Sequence, residues 1–365
     1  MIRVQDVTAY LETIAPRSYQ ESYDNAGLLT GDPQAEVRGI LVSLDAIESV
    51  LDEAIEEGCN LVVAHHPIIF RGLKSLTGRN YVERTIIKAI KHDIALYAIH
   101  TNLDSVYNGV NAKIAEKLAL QQTRVLAPKR QTLSKLTTFV PQKDAETVLN
   151  ALSAAGAGHI GNYKNCSFQV SGTGTFQPNA LANPHIGEAG KLERVEEQRI
   201  EVIFPSHQTS SVLRALQAAH PYEEVAYYLH NLENENQEVG SGMIGQLPEA
   251  LSAPDFLAYL KEQMDLPMIR HTALPDRPVQ TVAVCGGAGS FLLPSALRQQ
   301  ADAFVTADFK YHEFFDADGQ LIIADIGHYE SEVYTKELLR DFLCEKFVNF
   351  AIRLAKANTN PVFYF

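Results

Sequence analysis

Paired cysteines are missing from this chain. Cys59, Cys166, Cys285 and Cys344 are widely scattered, and no two form a C-x-x-C pair. That argues against a cysteine zinc ribbon and a disulfide framework, and leaves four small buried hydrophobes as the expected role. Long apolar runs are missing too, since none approaches the ~18 residues needed to span a bilayer. No charged-then-apolar leader opens the sequence, so the expected compartment is the reducing cytoplasm. Positive charge is scarce: 31 Lys and Arg stand against 44 Asp and Glu, a net charge of −13. Such a surface repels phosphate backbones, and no basic stripe with interleaved aromatics is visible. Nucleic acid and membrane are therefore not expected partners. A glycine turn at Gly286 to Gly289 lacks the G-x-G-x-x-G spacing and the lysine of a P-loop. It could still cradle a phosphate at a helix N-terminus.

What is present is alternation. At 365 residues and 46% hydrophobic content, the chain is long enough for about two domains with sizeable cores. Gly39 to Leu44 is a continuous apolar run, as expected of a strand covered on both faces. Asp45 can cap the next helix, in which Ile47, Val50, Leu51, Ala54 and Ile55 recur at helical spacing until Gly58. Leu61 to Ala64 is a second buried strand, Val82, Ile86, Ile87 and Ile90 mark a helix, and Ile94 to Ile99 is a third strand. This order predicts a parallel sheet with right-handed crossovers.

The pattern changes near residue 125. Strands are expected at 133–140, 167–176, 199–204 and 225–229, with helices at 144–155 and 208–219. That is the order of a ferredoxin-like unit. A polar run from Leu232 to Gly242 reads as a linker. Alternation then resumes, with strands at 282–284, 303–306 and 321–324 and a last helix from about Glu330 to Phe347. The fold class is therefore α/β: two similar α/β halves form one discontinuous domain, 1–125 and 243–365, interrupted by an inserted α+β domain, 126–242. Glu56 to His66 and Arg298 to Asp308 echo each other as helix end, loop and buried strand, which supports two similar half-sheets.

The polar residues that close these strands carry the chemistry. His65 and His66 end an apolar strand before Pro67, at the carboxyl end where open α/β sheets bind ligands. Neighbouring extended residues point in different directions, so the pair can serve two metals. Asp104 closes the next strand region. His328 and Glu332, four apart at a helix start, can face one way. Capping explains any one of these residues alone, but not the whole set. Three His and two carboxylates suit Zn²⁺, Fe²⁺, Mn²⁺ or Co²⁺ better than Ca²⁺ or Cu⁺. They exceed the needs of one tetrahedral zinc, so two ions sharing a bridging carboxylate is the economical reading. Such pairs activate water and clamp an oxyanion. His100 and His312 are candidates for proton transfer or for orienting the metal ligands, against an equally expected structural role for each. Asp308 and Lys310, near His312, could bind substrate, but read first as solvated strand-end residues.

The motifs AHHPIIF (64–70), HTNLD (100–104) and GHYESE (327–332), with YDNAGLLTG (23–31) and NTNPV (358–362), resemble the Nif-three-like, YbgI-type family of dinuclear-metal-centre proteins. The resemblance spans nearly the whole chain, and its members are named GTP cyclohydrolase I type 2 homologues. It implies His65, His66, Asp104, His328 and Glu332 as ligands of two divalent ions, Zn, Fe or Mn. It also implies a toroidal homohexamer. GAGHIGNYKNCSF (156–168) and HPYEEVAY (220–227) resemble the PII/CutA-like insert of longer members. The expected function is a metal-dependent hydrolase, GTP cyclohydrolase I type 2-like, acting on a nucleotide-like or pterin-like small molecule. The alternative is a non-enzymatic metal-binding or regulatory oligomer with a PII-like sensor domain.

Overall fold

A computed structural model describes residues 1–365. The chain divides into two compact units, Met1–Pro128 with Gln237–Phe365, and Lys129–Asn236. The first stretch contains α1 (Val4–Ile14), β1 (Gly27–Thr30), β2 (Ile40–Ser43), α2 (Glu48–Glu56), β3 (Leu61–Ala64), α3 (Tyr81–Lys91), β4 (Ala95–Ala98), α4 (Thr101–Asp104), α5 (Val110–Lys117) and β5 (Gln121–Lys129). The middle unit holds β6 (Leu133–Pro141), α6 (Ala145–Ala154), β7 (Phe168–Phe176), β8 (Glu193–Pro205), α7 (Thr209–Ala219) and β9 (Tyr227–Leu232). The last stretch holds β10 (Asn236–Leu251), α8 (Ala253–Gln263), β11 (Arg270–His271), β12 (Val279–Ala288), α9 (Leu293–Arg298), β13 (Ala303–Ala307), β14 (Ile322–Asp325), α10 (His328–Glu332), α11 (Thr335–Lys346) and β15 (Ile352–Leu354).

The large unit contains the same strand arrangement twice. One sheet runs β1-β4-β3-β2-β15 and the other β11-β14-β13-β12-β10-β5. In each, three consecutive strands are parallel, and a short strand that precedes them in sequence lies antiparallel at the far edge. The echoing segments noted in the sequence are the two that contain β3 and β13, which hold the same place in the two sheets.

Every buried strand alternates between two cores, as the two-residue period of a strand demands. Ile40, Val42, Leu61, Val63, Ala95 and Tyr97 of one sheet share a core with Val282, Val284, Ala303, Val305, Ile322 and Ala324 of the other. Residues from α1, α5, α8 and α11 fill this layer. The opposite faces are covered separately: Leu41, Val62 and Leu96 pack under α2 and α3, and Ala283, Phe304 and Ile323 pack under α9. Burial on both faces explains why the sequence shows continuous apolar runs rather than alternation. The carboxyl ends of the parallel strands therefore protrude as the polar edge of an apolar block.

In the middle unit the sheet order is β7-β8-β6-β9, all neighbours antiparallel. Its core is formed by Leu136, Val140, Ile200, Val202 and Phe204 of the sheet with Val148, Leu152, Val212 and Leu216 of α6 and α7.

Several expectations need correction. The Leu232–Gly242 run is mostly strand: β9 reaches Leu232 and β10 begins at Asn236. Its glycines reflect close backbone approach rather than a flexible linker. A Cβ at Gly240 would lie 2.3 Å from Ala127 O, and one at Gly242 3.0 Å from Val284 O. The final helix is broken into α10 and α11. Asp45 caps nothing, because Ile47 occupies the cap of α2. Gly58 does end α2, at φ +68°. All four cysteines are unpaired, but only Cys59 and Cys285 are buried. No helix is long and apolar enough to cross a membrane.

Candidate metal centre

The five residues named from the sequence lie together, and each follows the carboxyl end of a parallel strand. β3 is followed by His65 and His66, β4 by α4 with Asp104 as its last residue, and β14 by α10, which begins at His328 and ends at Glu332. The amides of His65 and His66 still bond to Ser43 O and Leu44 O, so the doublet is fixed by the sheet itself.

The imidazoles share one design. His65 Nδ1 lies 2.8 Å from Ile99 O. His66 Nδ1 lies 2.8 Å from Asp45 Oδ1, His328 Nδ1 2.7 Å from Asp308 Oδ2, and His100 Nδ1 2.7 Å from Asp24 Oδ1. A carbonyl can only accept, so His65 carries its proton on Nδ1 and presents a lone pair at Nε2. Carboxylate or carbonyl partners at the remote nitrogen are what orient histidines that ligate metals. Asp24, Asp45 and Asp308 were not recognised as such partners in the sequence.

The near nitrogens converge on Glu332. His66 Nε2 is 2.9 Å and His328 Nε2 3.1 Å from Glu332 Oε2. On the other side, His65 Nε2 stands 3.8 Å from Glu332 Oε1 and 3.5 Å from Asp104 Oδ1. His65 Nε2 and Asp104 Oδ1 are both buried and have no hydrogen-bond partner in the protein. Buried polar atoms are nearly always satisfied. Ligands at ~2.0–2.2 Å from a common ion lie roughly 3–3.5 Å apart, so the donor set and its spacing fit a cation. Three groups could hold one: His65, His66 and His100; His66, His328 and Glu332; and His65, Asp104 and Glu332.

Electrostatics tell the same story. Burial pushes His65 down to about 4, so its ring is neutral at pH 7. Burial also opposes charge on His66 and His328, but their paired carboxylates win and raise them to about 10 and about 11. Burial and the nearby Glu332 push Asp104 well above the usual carboxylate range. Glu332 is also buried, but hydrogen bonds from His328 and His66 hold it well below that range. Burial of Asp24 is outweighed by hydrogen bonds from His100 and Thr101, which lower it to about 2. Protons thus occupy the Nε2 positions of His66 and His328 where cations would sit.

Metal loading is therefore expected to release about two protons per chain near pH 8, and apparent affinity should fall as pH drops. Calorimetry in buffers of different ionisation enthalpy measures this; loading without proton release would contradict the assignment. The metal-free fold should also draw stability from these two histidines below about pH 6.5. That contribution should be lost as pH climbs through about 10 and 11.

The glycine turn has a different job from the phosphate cradle that the sequence left open. Gly287, at φ +62°, lies against Glu332: a Cβ there would sit 2.5 Å from Glu332 Oε1. Its amide donates to Ser331 Oγ, and the Gly286 amide to Asn111 Oδ1, so neither is open to an anion. Cys285 is buried beside Asp104 and Glu332, and burial with those carboxylates pushes its thiol upward, away from thiolate. His312 is not brought to the centre. It is exposed on the short turn Tyr311–Ala317 and stacks on Phe315. The chain turns away from the centre after β13. His100 lies 5.3 Å, ring to ring, from both His65 and His66. A cavity of about 590 Å³ adjoins the cluster, lined by Tyr23, Phe70, His100, Asp104, Phe291 and Glu332 among others.

The chain is similar to known proteins along its whole length. It is 42% identical over 363 residues to a protein of Halalkalibacterium halodurans named GTP cyclohydrolase 1 type 2 homolog, covering 98% of this chain and 97% of that one. It is 40% identical over 362 residues to the protein of that name from Bacillus subtilis, with the same coverage. Among solved structures, a Bacillus cereus protein related to NIF3 superposes with a TM-score of 0.87 at 39% identity, covering 100% of this chain and 99% of that one. A Staphylococcus aureus protein gives 0.79 at 29% identity, with the same coverage. Residues 2–361 match the family described as Duf34/NIF3 (NGG1p interacting factor 3), and the chain belongs to that family.

Proposed function

We propose that the large unit holds two divalent cations, Zn, Fe or Mn, and acts as a metal-dependent hydrolase on a nucleotide-like or pterin-like small molecule. The observation that carries this is the pair of partnerless buried atoms, His65 Nε2 and Asp104 Oδ1, facing each other at 3.5 Å. His65 and Asp104 would serve one ion, His66 and His328 the other. Glu332 would bridge them, because its two oxygens face the two groups. The cations supply Lewis acidity and a lowered pKa for water. Asp45, Asp308 and Asp24 keep the imidazoles aimed. His100, held by the Asp24 carboxylate and lining the cavity, is placed to pass a proton to or from a reacting group. The name shared by the relatives points to ring opening of a purine nucleotide, a reaction that needs such a water.

The test is turnover of metal-loaded protein against purine nucleosides, pterins, GTP and phosphoesters. His65→Ala is expected to reduce any turnover at least as much as the ~10–100-fold typical of lost supporting groups. Turnover unaffected by His65→Ala would remove this site from the mechanism.

A second reading treats the middle unit as a PII/CutA-like sensor in a metal-binding homohexamer without turnover. Its β-α-β-β-α-β order and sheet order β9-β6-β8-β7 support the ferredoxin-like part of that reading. Metal release coupled to assembly, with no turnover, would favour it.

A further inference from the structure

The cavity beside the cluster limits what can reach it. Tyr23, Phe70 and Phe291 line it and are 63%, 48% and 65% exposed. The Tyr23 and Phe70 rings are 6.2 Å apart, and Phe70 lies 6.1 Å from His100. Three large aromatic side chains left in water around one cavity form the apolar surface that a flat ligand would cover. No lysine or arginine lines this cavity. Arg270 lines a separate cavity that shares His66 and His328 with it, and is committed to Asp325 Oδ2 at 3.1 Å and Phe309 O at 3.0 Å.

The charge balance points the same way. Asp104 and Glu332 lie in the cluster, and Asp24, Asp45 and Asp308 stand behind its histidines. These five carboxylates face the four positive charges of two divalent ions, before Glu21 in the cavity wall is counted. A loaded centre of that composition has no surplus charge to draw in a polyanion, and no guanidinium or ammonium to grip one.

We infer that the site takes a planar heteroaromatic base or nucleoside, stacked on its aromatic wall, and disfavours the polyphosphorylated form. This deepens the hydrolase reading and rests on a cation-loaded centre. It also sets the guanine ring apart from the triphosphate in the relatives' name.

The test is a binding titration of zinc-loaded full-length protein with 2-aminopurine riboside, whose fluorescence is quenched on stacking, and with its 5′-triphosphate. Zinc content is measured before and after, so that stripping by the triphosphate is seen. The riboside is expected to bind saturably, and the triphosphate at least about tenfold more weakly. Phe70→Ala and Phe291→Ala should each weaken riboside binding about tenfold with zinc content unchanged. Triphosphate binding as tight as the riboside, no riboside binding at millimolar concentration, or undiminished binding by both variants would overturn the inference. Protein that retains no zinc would instead fail the hydrolase reading, before any titration.

Discussion

Glu332→Gln is expected to empty the centre of both cations at once. Glu332 is 3% exposed and lies between the two donor groups, with Oε2 on His66 and His328 and Oε1 toward His65. An amide keeps the shape but loses the charge, and its nitrogen turns a donor toward histidines that themselves donate. Affinity should fall at least about 100-fold for each ion, beyond the range for lost supporting groups. Without metal, the variant also leaves the imidazolium groups of His66 and His328 short of a counter-charge. The destabilisation should be on the order of 2 kcal/mol, discounted because His328 is partly in water. Metal analysis and thermal unfolding read the two effects separately. A variant that keeps its full complement of ions would contradict the bridging role.

Asp104→Asn is expected to change stability with opposite signs in metal-free and metal-loaded protein. In the metal-free chain Asp104 Oδ1 is buried without a partner and faces the carboxylate of Glu332. The side chain as a whole is 28% exposed, so only part of the desolvation penalty applies. Removing the charge should stabilise this form by on the order of 1 kcal/mol. The gain should appear as pH rises above the ordinary carboxylate range, because the raised pKa of Asp104 weakens the native fold there. With saturating zinc the same change removes a ligand. A tenfold loss of affinity then removes about 1.4 kcal/mol of ligand-linked stability. Unfolding midpoints with and without zinc decide the matter. A shift of the same sign in both states would mean that Asp104 does not touch the cation.

The strands were legible because their burial on both faces leaves nothing polar in them until they end. Leu61–Ala64 reads as a strand for the same reason that it is one, and the polar doublet His65-His66 marks where the block stops. Candidate ligands at such ends can be named from sequence. Their supporting carboxylates could not be. Asp45 lies 21 residues from His66, Asp308 20 from His328 and Asp24 76 from His100, so each pairing exists only once neighbouring strands are side by side, parallel for the first two and antiparallel for Asp24. In the sequence Asp45 and Asp308 are acidic residues after apolar runs, which look like a helix cap or a solvated strand end, and Asp24 sits in a polar stretch with nothing to single it out. Strand β10 was hidden for a different reason: glycines demanded by neighbouring backbone are the same residues that loops favour. The short edge strands β1 and β15 carry too few residues for a period to show.

The most direct measurement is elemental analysis of protein purified without a chelating resin and supplied with a small excess of zinc, iron or manganese. Two ions per chain are expected in the wild type, and none in Glu332→Gln. A wild-type chain that retains no transition metal, or equal metal content in both proteins, would contradict the assignment of this cluster as a dinuclear centre.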